Sequence, residues 1–200
     1  MGAITLISII RHGETDWNTE GRLQGATDIP INKTGILQAQ ECGHFLNDGE
    51  WDVLITSPLQ RAKRTAEIIN EELHLPLVVM NEFSERYFGD AEGMTREERM
   101  IAFPDKDYPN QETTEVMQQR ILNGLQQINR NYPDKKVLLV AHGAIIGAIL
   151  SMLSGGEIGS RKTRLINGGI TTIDFAEGQW RIRDYNQVDH LSAYSERGRV

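Results

Sequence analysis

The chain has 200 residues, 39% hydrophobic and 24% charged, enough to bury one substantial core, and reads as one domain over 1–200. A formal charge of -7 and a pI near 5.3 exclude a global attraction to nucleic acid or an anionic membrane, so any anion must be held by a local cluster. Cys42 is the only cysteine, which excludes an internal disulfide and a multi-cysteine metal site.

The opening run "MGAITLISII" is too short to span a bilayer and lacks the basic start and cleavage site of a signal peptide. Myristoylation after Met-Gly needs Ser or Thr at position 6, which is Leu6. A cytoplasmic protein with no membrane partner is expected.

Within that run, 3–10 is a β-branched stretch of buried-strand length, and it ends abruptly in Arg11, His12 and Gly13. A helix is predicted over 33–48, where Cys42 reads as packing, then a strand over 52–56. Over 58–73, Leu59, Ala62, Ala66, Ile69 and Leu73 are spaced 3, 4, 3 and 4 and form one apolar stripe of a helix. A further strand is predicted over 75–80. The charged stretch 81–111 contains Pro104 and Pro109, and only 95–102 reads as a short helix; an irregular segment of that length is expected to be a functional lid.

Met117, Ile121, Leu125 and Ile128 mark a helix over 112–131, followed by a strand over 136–141 and a helix over 143–153. Segments 169–176 and 179–185 flank Glu177-Gly178 and read as a hairpin or a pair of edge strands, and the polar tail 186–200 is expected to fray at its end. Strand and helix alternate, and near-continuous apolar strands need cover on both faces. The expected fold is α/β: a three-layer αβα sandwich with a mostly parallel central sheet, an antiparallel edge strand and a short lid.

Ligands in such sheets bind beyond the carboxyl ends of the strands. There the first strand delivers Arg11, His12 and, a few residues on, Asn18; the second delivers Arg61 in the first turn of its helix; the third is followed by Glu85, and the fourth by His142 and Gly143. Guanidinium groups bind phosphate oxygens in planar forks, histidine can act as nucleophile or donor, and a helix-start N–H at Gly143 adds an anion donor. A single carboxyl can protonate a leaving oxygen and later accept a proton from water. This set suffices for phosphoryl transfer with no metal and no cofactor.

Other features read more plainly. Lys63 and Arg64 are expected on the solvated face, and His44, His74 and His190 have no strand-end placement. Glu92 reads as a loop or capping carboxylate. "GGEIGSRKT" at 155–163 lacks P-loop spacing, and the run Arg161, Lys162, Arg164 reads as solvated.

The motifs "RHGETDWN", "TSPLQRAKRTA", "ERYFGDAEG" and "LLVAHG", spread over about 4–190, resemble the histidine phosphatase superfamily, with its phosphoglycerate mutase-like fold. The resemblance implies that His12 becomes phosphohistidine, that Arg11, Arg61 and His142 bind the phosphoryl oxygens with Asn18 and Gly143 assisting, and that Glu85 is acid and then base. More weakly, it places Gln24 and Gly25 at the substrate mouth.

Mutases of this family carry a long insertion after the glutamate; here 56 residues separate Glu85 from His142 and none is found. The chain is therefore most similar to the small bacterial broad-specificity phosphatases. It departs from their Gly-Glu-Ser pattern at "QETTE", 111–115, which leaves substrate contacts there open. The alternatives are mutase-type transfer, a narrow specialist for a sugar or α-ribazole phosphate, and a non-catalytic phospho-ligand sensor. The expected partner is a small phosphorylated metabolite; no apolar stripe beyond the core's assigns an oligomeric state.

Overall fold

The computed structural model describes residues 4–159 and 162–194, and its centre is a six-stranded sheet. In chain order the elements are β1 (Thr5–Arg11), α1 (Asp16–Glu20), α2 (Lys33–Leu46), β2 (Val53–Thr56), α3 (Gln60–Leu73), β3 (Leu77–Val79), α4 (Arg96–Ala102), α5 (Thr114–Asn131), β4 (Lys136–Ala141), α6 (Gly143–Leu153), β5 (Ile170–Ala176) and β6 (Gln179–Gln187). The strands lie in the order β3-β2-β4-β1-β5-β6; the first four are parallel, and β5 and β6 form the antiparallel pair.

Strand side chains alternate between faces, and the core divides accordingly. Ile7, Ile9, Val53, Ile55, Val137 and Leu139 pack with the apolar stripes of α5 and α6. Ile10, Leu54, Leu138 and Val140 pack with Cys42 and Leu46 of α2 and with Ala62, Ala66 and Ile69 of α3. Helices thus cover both faces, as expected for the three-layer arrangement. Among the described residues no helix is long and apolar enough to cross a membrane.

Two expectations need correction. β3 spans three residues at the sheet edge, with Leu77 and Val79 largely exposed, because it has a neighbour on one side only. β6 continues through Gln187, past the expected end at 185, so the tail starts later than 186. Beyond it the chain stays docked as far as Ala193, because Val188 and Leu191 join the α2-side core and Ala193 accepts from Gln38. The rest of the tail, 195–200, lies outside the described residues, as do residue 3 of the first predicted strand and Arg161.

The turn after β1 crosses the start of α2 at backbone contact distance. A Cβ on Gly35 would lie 2.3 Å from the Glu14 carbonyl oxygen, and one on Gly13 would lie 2.4 Å from that of Gly35. Alanine gains about 1 kcal/mol over glycine in a helix, but backbone overpacking costs about 1–3 kcal/mol or more. Here both opposing groups are main chain and cannot swing aside, so the clash wins. Gly35→Ala is expected to lower the unfolding temperature by several degrees in a thermal melt, and an unchanged melt would contradict this contact.

Candidate active site

Register explains why two histidines 130 positions apart in sequence become neighbours. β1 and β4 run side by side with Arg11 opposite Ala141, so the next residue of each strand is His12 and His142. Their ring centroids are 5.2 Å apart. β2 flanks β4 on its other side, and Ser57, the residue after β2, lies with its Oγ 2.7 Å from His142 Nε2.

His12 is held in one tautomer. Its Nδ1 lies 2.8 Å from the Gly13 carbonyl oxygen, which can only accept, so Nδ1 carries the proton and Nε2 keeps its lone pair. The Gly13 amide in turn donates to Thr65 Oγ1 on α3 at 2.9 Å. Below, Asn167 Nδ2 donates to the His12 carbonyl (2.9 Å) and to Asn18 Oδ1 (3.2 Å). Asn18 Oδ1 also accepts from the Thr15 amide, closing the capping box of α1, so its amide orientation is set and its NH2 remains for an anion.

Both predicted arginines are buried at these strand ends. Arg61 enters from the first turn of α3 and donates Nη1 to the Thr27 carbonyl (2.9 Å) and Nη2 to that of Gly25 (2.7 Å). Its Nε is buried and meets no partner among the described residues. Arg11 Nη1 donates to the Leu165 carbonyl, and its guanidinium lies beside Gly143, where α6 begins.

Glu85 approaches from the other side: Oε1 accepts from the Arg86 amide (2.8 Å) and Oε2 from the Ala144 amide (3.2 Å). Its backbone is fixed by Arg120 of α5, which donates to the carbonyls of Glu82, Ser84 and Glu85. Arg120 is itself gripped by both oxygens of Glu112, at 2.7 and 2.9 Å. The Glu112 of the divergent "QETTE" stretch therefore holds the segment that carries Glu85.

Burial dominates the site's electrostatics. It pushes the His12 pKa well below 6.5, reinforced by Arg61 and Arg11, and does the same to His142. Burial also raises Glu85 above 4.5, against the opposing pull of the Arg86 amide and the two arginines. Arg11 is lowered by burial to about 10 and stays cationic at neutral pH. Two neutral imidazoles, two cations and a carboxyl inclined to keep its proton thus share one pocket.

Gln24 and Gly25 sit behind Arg61. The Gly25 carbonyl serves Arg61, and its left-handed φ of 57°, with a Cβ position crowding the Glu92 carboxylate, favours glycine. Glu92 clips this loop, accepting from the Ala26 and Thr27 amides and from Thr27 Oγ1, in keeping with its reading as a loop carboxylate. Neither Gln24 nor Gly25 lines the large cavity above the site. That cavity, of about 710 Å3, is lined by Arg11, Gly143 and Ala144 together with residues of the 81–111 segment. Lys162 and Arg164, expected to be solvated, also line it.

Ser57 and Asn167 were not among the predicted site residues. Ser57 follows a strand directly, so the rule that found Arg11 and His142 could have found it. Asn167 sits in "NGGI", which reads as a turn; only the antiparallel register of β5 on β1 places it under His12.

Residues 7–188 match the histidine phosphatase superfamily (branch 1). The chain belongs to this superfamily. Among its histidine phosphatase relatives, "Uncharacterized phosphatase PhoE" of Bacillus subtilis is 54% identical over 191 residues, covering 96% of this chain and 99% of that one. "Probable phosphoglycerate mutase GpmB" of Salmonella arizonae is 30% identical, covering 94% and 95%. A solved histidine phosphatase fold, phosphoserine phosphatase of Entamoeba histolytica in complex with 3-phosphoglyceric acid, superposes with a TM-score of 0.82 at 30% identity, covering 94% and 99%. The expectation of a histidine phosphatase enzyme of the small bacterial type stands with these relatives.

Proposed function

We propose that the chain hydrolyses small phosphate monoesters, without a metal, through a phosphohistidine on His12. The observation that carries this reading is the locked tautomer: a buried His12 whose Nδ1 is committed to the Gly13 carbonyl, so that Nε2 keeps its lone pair, with Arg61 and Arg11 near enough to disfavour its cationic form. Nε2 attacks phosphorus, the P–O ester bond breaks, and the departing oxygen takes the proton of Glu85. Water then attacks the phosphohistidine and gives a proton to Glu85; the P–N bond breaks, inorganic phosphate leaves, and the Nε2 lone pair returns.

Charge on the transferred group is met by fixed donors, as phosphoryl transfer requires. Arg11 and Arg61 supply cations, and Gly143 and Asn18 supply N–H groups. Ser57 Oγ already accepts from the Leu59 amide, so it can give its own proton to His142 Nε2. His142 then carries its proton on Nδ1, which is buried and meets no partner among the described residues, and presents it to the phosphoryl oxygens.

The pH dependence follows from the shifted groups. Activity needs His12 unprotonated and Glu85 protonated, so the acid limb lies below 6.5 and the alkaline limb above 4.5. The substrate's own negative charge raises Glu85 further on binding. Glu85→Gln is expected to cut alkyl phosphate hydrolysis by on the order of 10²–10⁴-fold. It should flatten the alkaline limb and cost far less in the first step with aryl phosphates, whose leaving oxygen needs little protonation. Phosphate release in excess chelator, measured across pH for both substrate types, checks this; an unchanged bell in the variant would remove Glu85 from the mechanism. Return of the phosphoryl group to a second position on the substrate, in place of free phosphate, would indicate the mutase alternative.

A further inference from the structure

The cavity is far more cationic than the protein around it. The chain carries a net charge of -7, yet among the described residues seven Lys and Arg side chains and no Asp or Glu line these 710 Å3. The phosphoryl site uses Arg11 alone of the seven. Arg86, Arg96, Arg99 and Lys106 come from the 81–111 segment, and Lys162 from the loop before β5.

Several acids of that segment are engaged elsewhere: Glu98 caps Thr95 and faces Arg22, Asp107 accepts from Gln111, Asp90 accepts from Asn110, and Glu92 clips the 26–27 loop. Arg96 and Lys106 have no ion pair among the described residues. Lys106 holds φ at 58°, a left-handed conformation that a non-glycine residue adopts at a cost. Like charges gathered without acids repel one another, and an arriving anion relieves that repulsion.

Apolar and aromatic groups make up much of the remaining lining. Phe88, Met100, Phe103 and Tyr108 contribute, with Phe103 and Tyr108 edge to face at 5.6 Å between centroids. Small-molecule sites run from roughly 300 to 1,000 Å3, so this cavity accommodates a whole metabolite rather than one phosphoryl group.

We infer that this cavity selects phosphate monoesters carrying a second anionic group beyond an apolar or planar body, with Arg96 and Lys106 of the 81–111 segment holding the second anion. This rests on the phosphatase reading for the end of the substrate that reacts. A distal phosphate and a distal carboxylate share the chemistry, and substrates bearing one or the other separate them.

The test compares 1-naphthyl phosphate with its 1,5-bisphosphate and with a carboxylate-bearing naphthyl phosphate. The expected kcat/KM ratio, counted per ester, is about tenfold or more in favour of the dianionic partners at low salt, shrinking as salt screens the distal contact. In Arg96→Gln/Lys106→Gln the ratio is expected to fall at least about threefold, since each exposed charge contributes modestly. A ratio within about twofold in the native chain, or one unmoved in the double variant, overturns the inference while hydrolysis of the simple ester leaves the phosphatase reading intact. If the chain hydrolyses none of them, the phosphatase reading fails, and calorimetric affinities of the same compounds still decide the distal subsite.

Discussion

Replacing His12 with alanine is expected to lower phosphate release by on the order of 10⁴-fold or more while leaving the fold intact. The reason is particular to this ring. Its Nε2 lone pair is kept by a tautomer that a main-chain carbonyl sets, at 2.8 Å from Nδ1. His142 cannot replace it, because its Nε2 is engaged with Ser57. Stability is expected to fall by about 1–3 kcal/mol, because the buried ring and its Nδ1 hydrogen bond to the Gly13 carbonyl are lost. Two measurements check the expectation: steady-state release from an aryl phosphate, and mass analysis of rapidly quenched protein for an added phosphoryl group that acid removes and base does not. Retention of a tenth or more of the native rate by the variant would mean that water attacks the ester directly.

Arg61→Lys is expected to reduce kcat/KM by on the order of 10²–10³-fold although the charge is conserved. Arg61 uses one fork of its guanidinium for the Thr27 and Gly25 carbonyls and leaves Nε–H buried without a partner among the described residues. An unpartnered buried donor costs about 1–3 kcal/mol, which an incoming phosphoryl oxygen recovers. Lysine has a single ammonium, which can serve the loop carbonyls or the substrate but not both. Orthophosphate should raise the unfolding temperature of the native chain, by the linkage of binding to folding, and should do so far less in the variant. Equal protection in both proteins would remove Arg61 from the anion site.

Much of the site was legible because a parallel strand delivers its functional residues just past its last apolar position. Arg11, His12, His142 and Gly143 all stand there, and Arg61 follows one turn later. The apolar stripes of α3 and α5 were equally direct, since burial on one helical face leaves a spacing of three and four. Asn167 was illegible because it is defined by an antiparallel register, a long-range property that a local Asn-Gly-Gly does not encode. Arg120 was hidden for a related reason: it donates to backbone carbonyls of Glu82, Ser84 and Glu85, a main-chain acceptor leaves no mark in side-chain patterns, and Glu112 acts only by holding Arg120. The short β3 and the docked segment after β6 show how edge position and tertiary contact override local apolarity and polarity.

The pairing of β1 with β4 and β5 also sets when the site can exist during synthesis. β1 leaves the ribosome first, yet its hydrogen-bonding partners begin at Lys136 and Ile170. Contacts so distant in sequence close late, after a large loss of chain entropy. Until most of the chain has emerged, His12 has neither its second histidine nor its supporting Asn167, and the nascent polypeptide carries a reactive-residue motif with no reactivity. Assembly of the site therefore reports the joining of β1, β4 and β5 rather than formation of any one segment.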